Sequence, residues 1–167
     1  NGELRSYSGV PQKGDITDDM TLELRHGYYA CVSYIDSLLG DLMSDFDELG
    51  LRENTIIVFW SDHGFKLGEH SLWHKHTNFE LDCRVPFMIS APGYRNGQRT
   101  GSLVELLDIF PTLCDLAGLP TPDDLDGTSL LSVLKNPETS VRPFARSQYP
   151  RGGDVMGYAI KTDRYRY

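Results

Sequence analysis

The longest hydrophobic pattern in the chain is a stripe of apolar residues between positions 18 and 50. Apolar side chains recur there at steps of three and four residues, which is the spacing of one face of an α-helix. Thr17, Asp18 or Asp19 can cap the start of such a helix, and Gly50 can end it. The pattern therefore predicts one long amphipathic helix. Its stripe comprises Leu24, Tyr28, Cys31, Val32, Ile35, Leu38, Leu39, Leu42, Phe46 and Leu49.

A second pattern occupies residues 55–60, where six apolar or β-branched residues follow one another without interruption. Continuous apolar runs of this length are typical of strands buried on both faces, as in parallel sheets covered by helices. The run stops abruptly at Asp62, His63 and Gly64. Ligands of open α/β sheets bind just beyond the carboxyl ends of the strands. The Asp-His pair therefore lies where a rigidly held site is expected.

Shorter elements are predicted in the rest of the chain, and together with the first two they indicate an α/β fold. The polar segment 61–82 is rich in Gly, His and Asn, which predicts a functional loop with one short helix. The others are a strand at 85–89, a helix capped by Asp108 and ended by Gly118, and a short helix at 129–134. Short strands follow from Phe144, and residues 158–161 are predicted to pair with 164–167 as a hairpin.

Composition excludes several classes of function. A chain of 167 residues with 40% hydrophobic and 24% charged residues is ordinary for one globular domain. The net charge of −8 argues against a nucleic-acid or anionic membrane surface, although one small anion can still bind in a locally positive cleft. The three cysteines are widely spaced, so neither a disulfide framework nor a zinc ribbon is indicated. No transmembrane segment or signal peptide is recognisable, and both ends of the chain look cut.

Asp62 and His63 are the first candidates for a metal site. For an arbitrary Asp-His pair, a capping Asp and a partly exposed His would be the ordinary interpretation. Here the pair ends a strand and precedes Gly64, which permits a sharp turn, so two ligands of a divalent metal become plausible. They are at most half of a site, because a hard cation such as calcium takes about six to eight oxygen-type ligands.

Lys75 is a candidate anion ligand, since a loop lysine near a metal can act as a point charge on a sulfate or phosphate oxygen. Its spacing alone fits a solvated surface lysine better. His70, His74 and His76 could ligate a metal, but their spacing is not a recognised metal motif. Arg151, between Pro150 and a Gly pair, has a guanidinium suited to a sugar carboxylate, and a surface role is equally open.

Two sets of motifs resemble the sulfatases of the alkaline phosphatase superfamily. The first is Ser61-Asp62-His63-Gly64-x-x-Leu67-Gly68-Glu69-His70-x-x-Trp73-x-Lys75, followed by Arg84-Val85-Pro86 and Ala91-Pro92-Gly93. In the second set, Tyr28–Asp36 and Asp108-x-Phe110-Pro111-Thr112-Leu113 resemble helices of the family, and Ser147–Arg151 and the segment 157–167 resemble its iduronate-2-sulfatase-like branch in particular. The resemblance implies part of a sandwich with a mostly parallel sheet flanked by helices. Residues 1–140 would belong to the catalytic domain, and residues 141–167 would begin a small C-terminal antiparallel sheet.

The resemblance also implies roles for individual residues. Asp62 and His63 would be calcium ligands, and Lys75 would bind the sulfate group and stabilise the bridging oxygen during catalysis. Sulfatases carry a catalytic formylglycine made in a Cys/Ser-x-Pro-x-Arg motif, and none of Cys31, Cys83 and Cys114 lies in one. We therefore expect the nucleophile in a missing N-terminal part, and we expect these 167 residues alone to lack turnover and to bind calcium weakly.

Three hypotheses follow from the sequence. The first is a calcium-dependent sulfatase acting on a sulfated sugar such as a glycosaminoglycan, in a lysosome, in the periplasm or outside the cell. The second is a phosphodiesterase or phosphonate monoester hydrolase of the same superfamily, and the third is a non-catalytic binding or structural piece. The spacing from Leu67 to Lys75 favours the sulfatase. Its expected partners are the sulfated sugar and the missing N-terminal part, with no nucleic acid or membrane.

Overall fold

The computed structural model describes residues 2–167, which form short helices and strands around one long helix. The helices are α1 (Gly2–Arg5), α2 (Asp18–Glu48), α3 (Glu80–Cys83), α4 (Ile109–Ala117) and α5 (Leu131–Lys135). The strands are β1 (Ile57–Trp60), β2 (Lys66–Leu67), β3 (Trp73–His74), β4 (Phe87–Ser90), β5 (Ala145–Gly152) and β6 (Val155–Lys161). Turns of 3₁₀-helix lie at Arg52–Asn54, Glu69–Ser71 and Leu106–Asp108.

Helix α2 confirms the prediction made from the hydrophobic stripe. Its N-cap is Thr17, whose hydroxyl oxygen accepts a hydrogen bond from the backbone N–H of Met20 at 3.3 Å. At the other end Leu49 is the C-cap, and Gly50 follows with a left-handed φ of 66° that a residue with a side chain rarely adopts. No helix formed by residues 2–167 is both long and apolar enough to cross a membrane.

The apolar face of α2 is largely uncovered in the part of the chain that the structure describes. No residue of the helix is buried, and Val32, Ile35 and Leu38 are each about half exposed. Only the N-terminal end of the stripe packs, where Met20 and Leu24 contact a small core. That core consists of Leu4, Val10 and Trp73. The stripe therefore predicts the helix correctly, but within residues 2–167 most of it lacks a packing partner.

Strand β1 pairs with β4 in an antiparallel ladder that joins Ile57 to Ser90 and Trp60 to Phe87. Its residues are half-buried at best, and Trp60 is exposed. The expectation of a strand buried on both faces is therefore wrong for the described residues, because Trp60 is exposed and the other three residues of β1 are only partly buried. All three two-stranded sheets in residues 2–167 are antiparallel, so the mostly parallel sheet stays a prediction.

The segment from 61 to 82 is more ordered than a loop with one helix. Strands β2 and β3 pair, with Lys66 opposite His74, and α3 follows. Lys66 is buried and its ammonium bonds to Asp82 Oδ1 at 2.5 Å, so this charge is paired inside the protein. The segment turns at Gly64, where a Cβ would lie 1.9 Å from the Leu81 carbonyl oxygen. That close approach requires glycine at this position.

Asp108 connects segments in the C-terminal third of the chain. It does so through bonds other than the cap bond that the sequence predicts. It precedes α4, but its fully buried carboxylate makes no cap bond to that helix. Instead it accepts bonds from the backbone N–H groups of Glu105 and Thr128, both at 2.8 Å, and forms an ion pair with Arg142. Arg142 also bonds to Glu105 at 2.8 Å. The carboxylate thereby joins three separate segments.

Strands β5 and β6 form a hairpin, which we call the C-terminal hairpin (residues 145–161). The predicted pairing of 158–161 with 164–167 exists as a single bridge between Lys161 and Arg166, while the main partner of β6 is β5. Glu80 of α3 accepts bonds from Lys161 at 3.2 Å and Arg166 at 2.9 Å. Asn78 donates to the Gly157 carbonyl oxygen at 2.9 Å. These bonds dock the hairpin on residues 78–80.

We expect Gly127→Ala to destabilise the protein. A Cβ at Gly127 would lie 2.1 Å from the Leu107 carbonyl oxygen, beside the backbone of Asp108. Overpacking of this kind costs about 1–3 kcal/mol of unfolding free energy. Gly101→Ala is the matched control, because no atom lies within 4 Å of its Cβ position. Urea denaturation of both variants checks the prediction, and equal midpoints would contradict it.

Candidate functional site

The end of β1 brings Asp62 and His63 together. The Asp62 side chain is 83% exposed, and its Oδ2 lies 3.7 Å from His63 Nε2. Its Oδ1 accepts the backbone N–H of His63 at 3.0 Å, and the Ser61 hydroxyl donates to the His63 carbonyl oxygen at 2.7 Å. These bonds hold the turn, and the two side chains lie on the same side of it.

The surroundings of the His63 ring fix which nitrogen is available for a ligand. Its Nδ1 lies 2.8 Å from the Gly64 carbonyl oxygen, which can only accept, so Nδ1 carries the proton. The Nε2 lone pair then faces the Asp62 carboxylate. A histidine that donates one ring N–H to a carbonyl while the other nitrogen binds the ion is common at metal sites.

This donor set fits two positions in the coordination shell of a divalent cation. A carboxylate oxygen suits calcium, and the imidazole nitrogen adds a neutral donor beside it. Within residues 2–167 no group of three or more His, Cys, Asp or Glu side chains could hold a metal ion. Asp62 and His63 therefore form part of a site, and their role as metal ligands stays a prediction.

Lys75 follows β3, and its ammonium is bonded to the Glu3 carboxylate of α1. Lys75 Nζ lies 2.7 Å from Glu3 Oε1, and the lysine side chain is 27% exposed. The pKa of Lys75 is raised, chiefly by this hydrogen bond, and the Asp62 charge acts in the same direction. Lys75 is thus charged, and its contact with sulfate stays a prediction.

Glu3 is the centre of a polar cluster that the sequence analysis missed. We call Glu3, His74, Lys75, His76 and Tyr149 the Glu3 cluster. Glu3 Oε2 accepts from His76 Nε2 at 2.5 Å, and the Tyr149 hydroxyl donates to His76 Nδ1 at 2.9 Å. The bond from Lys75 and then that from His76 lower the pKa of Glu3 to about 2. No local sequence signal marks Glu3, because its partners are 72 and 73 residues away.

His74 lies under this cluster and is only 3% exposed. Neither ring nitrogen has a hydrogen-bond partner among the described residues, and the ring packs against Tyr7 and Phe65 with centroids 5.4 and 4.9 Å away. Burial lowers its pKa, so the ring is neutral. His70 instead packs against Phe79 at 5.0 Å. His74 and His76 thus both lie beside Glu3, and within residues 2–167 the three histidines do not form a metal-binding group.

Arg151 lies at the irregular end of β5 rather than in a loop. The pairing register shifts between Pro150 and Gly152, which leaves Arg151 at a β-bulge. Its exposed side chain crosses β6, since a Cβ at Gly157 would lie 2.5 Å from Arg151 Nε. Bulges often redirect a side chain next to a binding site, but contact of Arg151 with a substrate stays a prediction.

Two cavities of about 330 Å³ each flank β2 and β3. The first opens beside His63, with Ser61, Tyr28 and Arg84 in its wall. The second lies beside Glu3 and His76 and reaches the buried Lys66. His63 and Glu3 thus border separate cavities on the described residues.

Comparison with known proteins connects this arrangement to one family. The sequence profile of the family named Sulfatase matches residues 5–119. The chain is 36% identical to mouse (Mus musculus) iduronate 2-sulfatase, over 92% of this chain and 39% of that protein. It is 32% identical to arylsulfatase K of Bos taurus, over 92% of this chain and 30% of that protein. The chain thus spans about two fifths of the length of the first relative and less of the second.

Solved structures agree with the sequence relatives. One was determined in complex with its substrate D-glucosamine-2-N,6-O-disulfate, with a TM-score of 0.74 and 31% identity, over 81% of this chain and 29% of that chain. Another is a 2-O GAG sulfatase, with a TM-score of 0.60 and 31% identity, over 69% of this chain and 27% of that chain. A Bacteroides fragilis chain described as a sulfatase is 23% identical and covers 99% of this chain and 37% of its own, with a TM-score of 0.82, which shows the shared α/β fold.

We expect the ion pairs of Glu3 to make stability depend on pH at acidic values. The pKa of Glu3 in the folded state, about 2, lies below its ordinary value of 4.5. The contribution is therefore complete above about pH 4.5 and is lost as the pH falls toward about 2. Urea denaturation between pH 6 and pH 2 should show the stability advantage of the parent over Glu3→Gln shrinking across that interval. Glu138→Gln, at an exposed position, is the control. A constant advantage down to pH 2 would contradict the assignment.

Proposed function

The chain belongs to the sulfatase family, and on that premise we propose that the protein hydrolyses sulfate esters on sugars with calcium as its cofactor. The observation that carries the proposal is the pairing of Asp62 and His63 at the end of β1, and the Lys75 ammonium that Glu3 holds after β3 adds to it. Because the chain spans about two fifths of the mouse relative, the activity of the whole protein is inferred from this part.

Asp62 and His63 would hold calcium in this proposal. The Asp62 carboxylate is open to an incoming ion, and the bond from His63 Nδ1 to Gly64 leaves Nε2 free to coordinate. When bound, calcium would draw charge from the sulfate oxygens and so favour attack on sulfur. The remaining ligands are expected outside these residues, since the described part of the chain forms no complete metal cluster.

Lys75 would bind an oxygen of the sulfate group. Its raised pKa keeps the ammonium charged over the physiological range. As the bond from sulfur to the bridging oxygen breaks, negative charge grows on that oxygen, and a fixed cation beside it lowers the barrier. The bridging oxygen would leave with the electron pair of the broken bond and take a proton from water to give the sugar alcohol, while sulfur stays bonded to the nucleophile. Formylglycine would supply the nucleophile, and the expected Cys/Ser-x-Pro-x-Arg motif is proposed to lie in a more N-terminal part.

The proposed substrate is a sulfated sugar of the glycosaminoglycan type. The relatives named as iduronate 2-sulfatases and the solved complex with a sulfated glucosamine support this choice. Arg151 would then contact a uronate carboxylate through its guanidinium. We place the enzyme in a lysosome, in the periplasm or outside the cell. Residues 1–140 would complete a sandwich with a mostly parallel sheet, and residues 141–167 would begin its C-terminal subdomain.

We expect Lys75→Ala to reduce sulfate-ester turnover by the full-length enzyme about 100-fold or more. Thermal stability should fall much less than activity, because a partly exposed loop lysine buries little apolar surface. Lys13→Ala, at an exposed position between α1 and α2, is the matched control and should retain parental kinetics. Steady-state assays with an aryl sulfate and a sulfated disaccharide test the prediction. Parental turnover by Lys75→Ala would refute the sulfate contact, and preferential hydrolysis of a phosphodiester would favour the alternative hydrolase.

Calcium binding provides a separate test of the metal site. Asp62→Asn removes a charged oxygen ligand, so the calcium dissociation constant of the full-length protein should rise at least about 10-fold. Asp163→Asn is the control, because Asp163 is an exposed carboxylate in the turn after β6. Isothermal titration of the metal-free proteins with calcium measures both. Unchanged affinity in Asp62→Asn would remove Asp62 from the site.

A further inference from the structure

The bond between Glu3 and Lys75 gives an N-terminal residue a part in the proposed site. We infer that Glu3 is a positioning residue that holds the Lys75 ammonium, and that His76 and Tyr149 fix Glu3 in turn. The inference rests on the proposed function, since it is Lys75 that would contact sulfate. It assigns a role to the segment around α1, in which the sequence shows no chemical motif.

Both carboxylate oxygens of Glu3 are engaged. Oε1 lies 2.7 Å from Lys75 Nζ, and Oε2 lies 2.5 Å from His76 Nε2. Rotation of the carboxylate about its terminal bond would therefore break both contacts. The Glu3 side chain is also only 25% exposed, so water competes for few of its lone pairs. The carboxylate can thus set the direction in which the ammonium points.

His76 extends this contact to the C-terminal hairpin. Its Nε2 donates to Glu3, so in the neutral ring Nδ1 accepts from the Tyr149 hydroxyl at 2.9 Å. The two rings also pack, with centroids 5.8 Å apart. Tyr149 belongs to β5, whose partner strand β6 is docked through bonds to Asn78 and Glu80. The position of Glu3 is therefore tied to a hairpin that is itself anchored.

The backbone before Lys75 is also fixed. His74 is buried with a left-handed φ of 67°, a conformation that costs energy for a residue with a side chain. Burial of His74 holds the backbone from which the Lys75 side chain extends, and Glu3 holds the ammonium at the other end of that side chain. An ammonium has three N–H donors, so one can bond to Glu3 while two stay available for sulfate oxygens. Binding to Glu3 and binding to sulfate are therefore compatible.

A double-mutant cycle in the full-length enzyme tests whether Glu3 acts through Lys75. We expect Glu3→Gln to lower kcat about 10- to 100-fold with a smaller change in KM, because a misplaced group weakens transition-state stabilisation most. In the Lys75→Ala background, Glu3→Gln should have no further effect. Glu138→Gln is the matched control for loss of a carboxylate. If the two effects on kcat multiply, Glu3 acts independently of Lys75 and the inference is wrong.

A second measurement needs no turnover, so it separates this inference from the proposed function. Acetic anhydride labels free amines, and the labelling of Lys75 can be followed by peptide mass spectrometry at about pH 9. Glu3→Gln removes the charge that raises the pKa of Lys75, so the lysine should react several-fold faster while Lys13 is unchanged. Tyr149→Phe should act in the same direction, but less. Unchanged labelling of Lys75 in Glu3→Gln overturns the inference. Faster labelling combined with parental activity of Lys75→Ala supports the contact and refutes the sulfate role.

Discussion

One carboxylate, that of Glu3, joins parts of the chain that are far apart in sequence. It bonds to Lys75 and His76 after β3, and through His76 it reaches Tyr149 in the C-terminal hairpin. These ion pairs contribute to stability while Glu3 is ionised, and they also have a geometric consequence. The position of the proposed sulfate ligand depends on helix α1 and the hairpin together, and neither is adjacent to it in sequence.

Local features of the fold could be predicted from the sequence because local physics determines them. The apolar spacing predicted α2, with Thr17 as a candidate cap at its start and Gly50 at its end, and the structure has the helix between them. The apolar run 55–60 predicted β1. The switch from apolar to polar residues after it predicted that Asp62 and His63 lie at the strand end, and their Oδ2 and Nε2 atoms are 3.7 Å apart there. A strand end and a glycine turn constrain neighbours in sequence strongly enough for such predictions.

Contacts between distant segments could not be predicted in the same way. Nothing in the pattern around Glu3 points to a lysine 72 residues away, and the buried pair of Lys66 and Asp82 looks like two ordinary surface charges in the sequence. Asp108 was identified as a helix cap because capping is a local role, whereas its carboxylate bonds to Thr128 and Arg142. Tertiary contacts decide the roles of such charges, so a single sequence without a structure leaves them open.

We propose one physical explanation for the exposed apolar side chains and for the small number of ligands at the proposed metal site. In the middle of α2 several apolar side chains are about half exposed, and so is Trp60 of β1, although burying them would be worth about 25 cal/mol for each Å². Asp62 and His63 likewise supply two ligands where calcium takes about six to eight. Because the chain covers 39% of its mouse relative, we expect the rest of a sulfatase domain to pack on β1 and α2. Such packing would bring further ligands to the strand end and bury the apolar stripe at the same time.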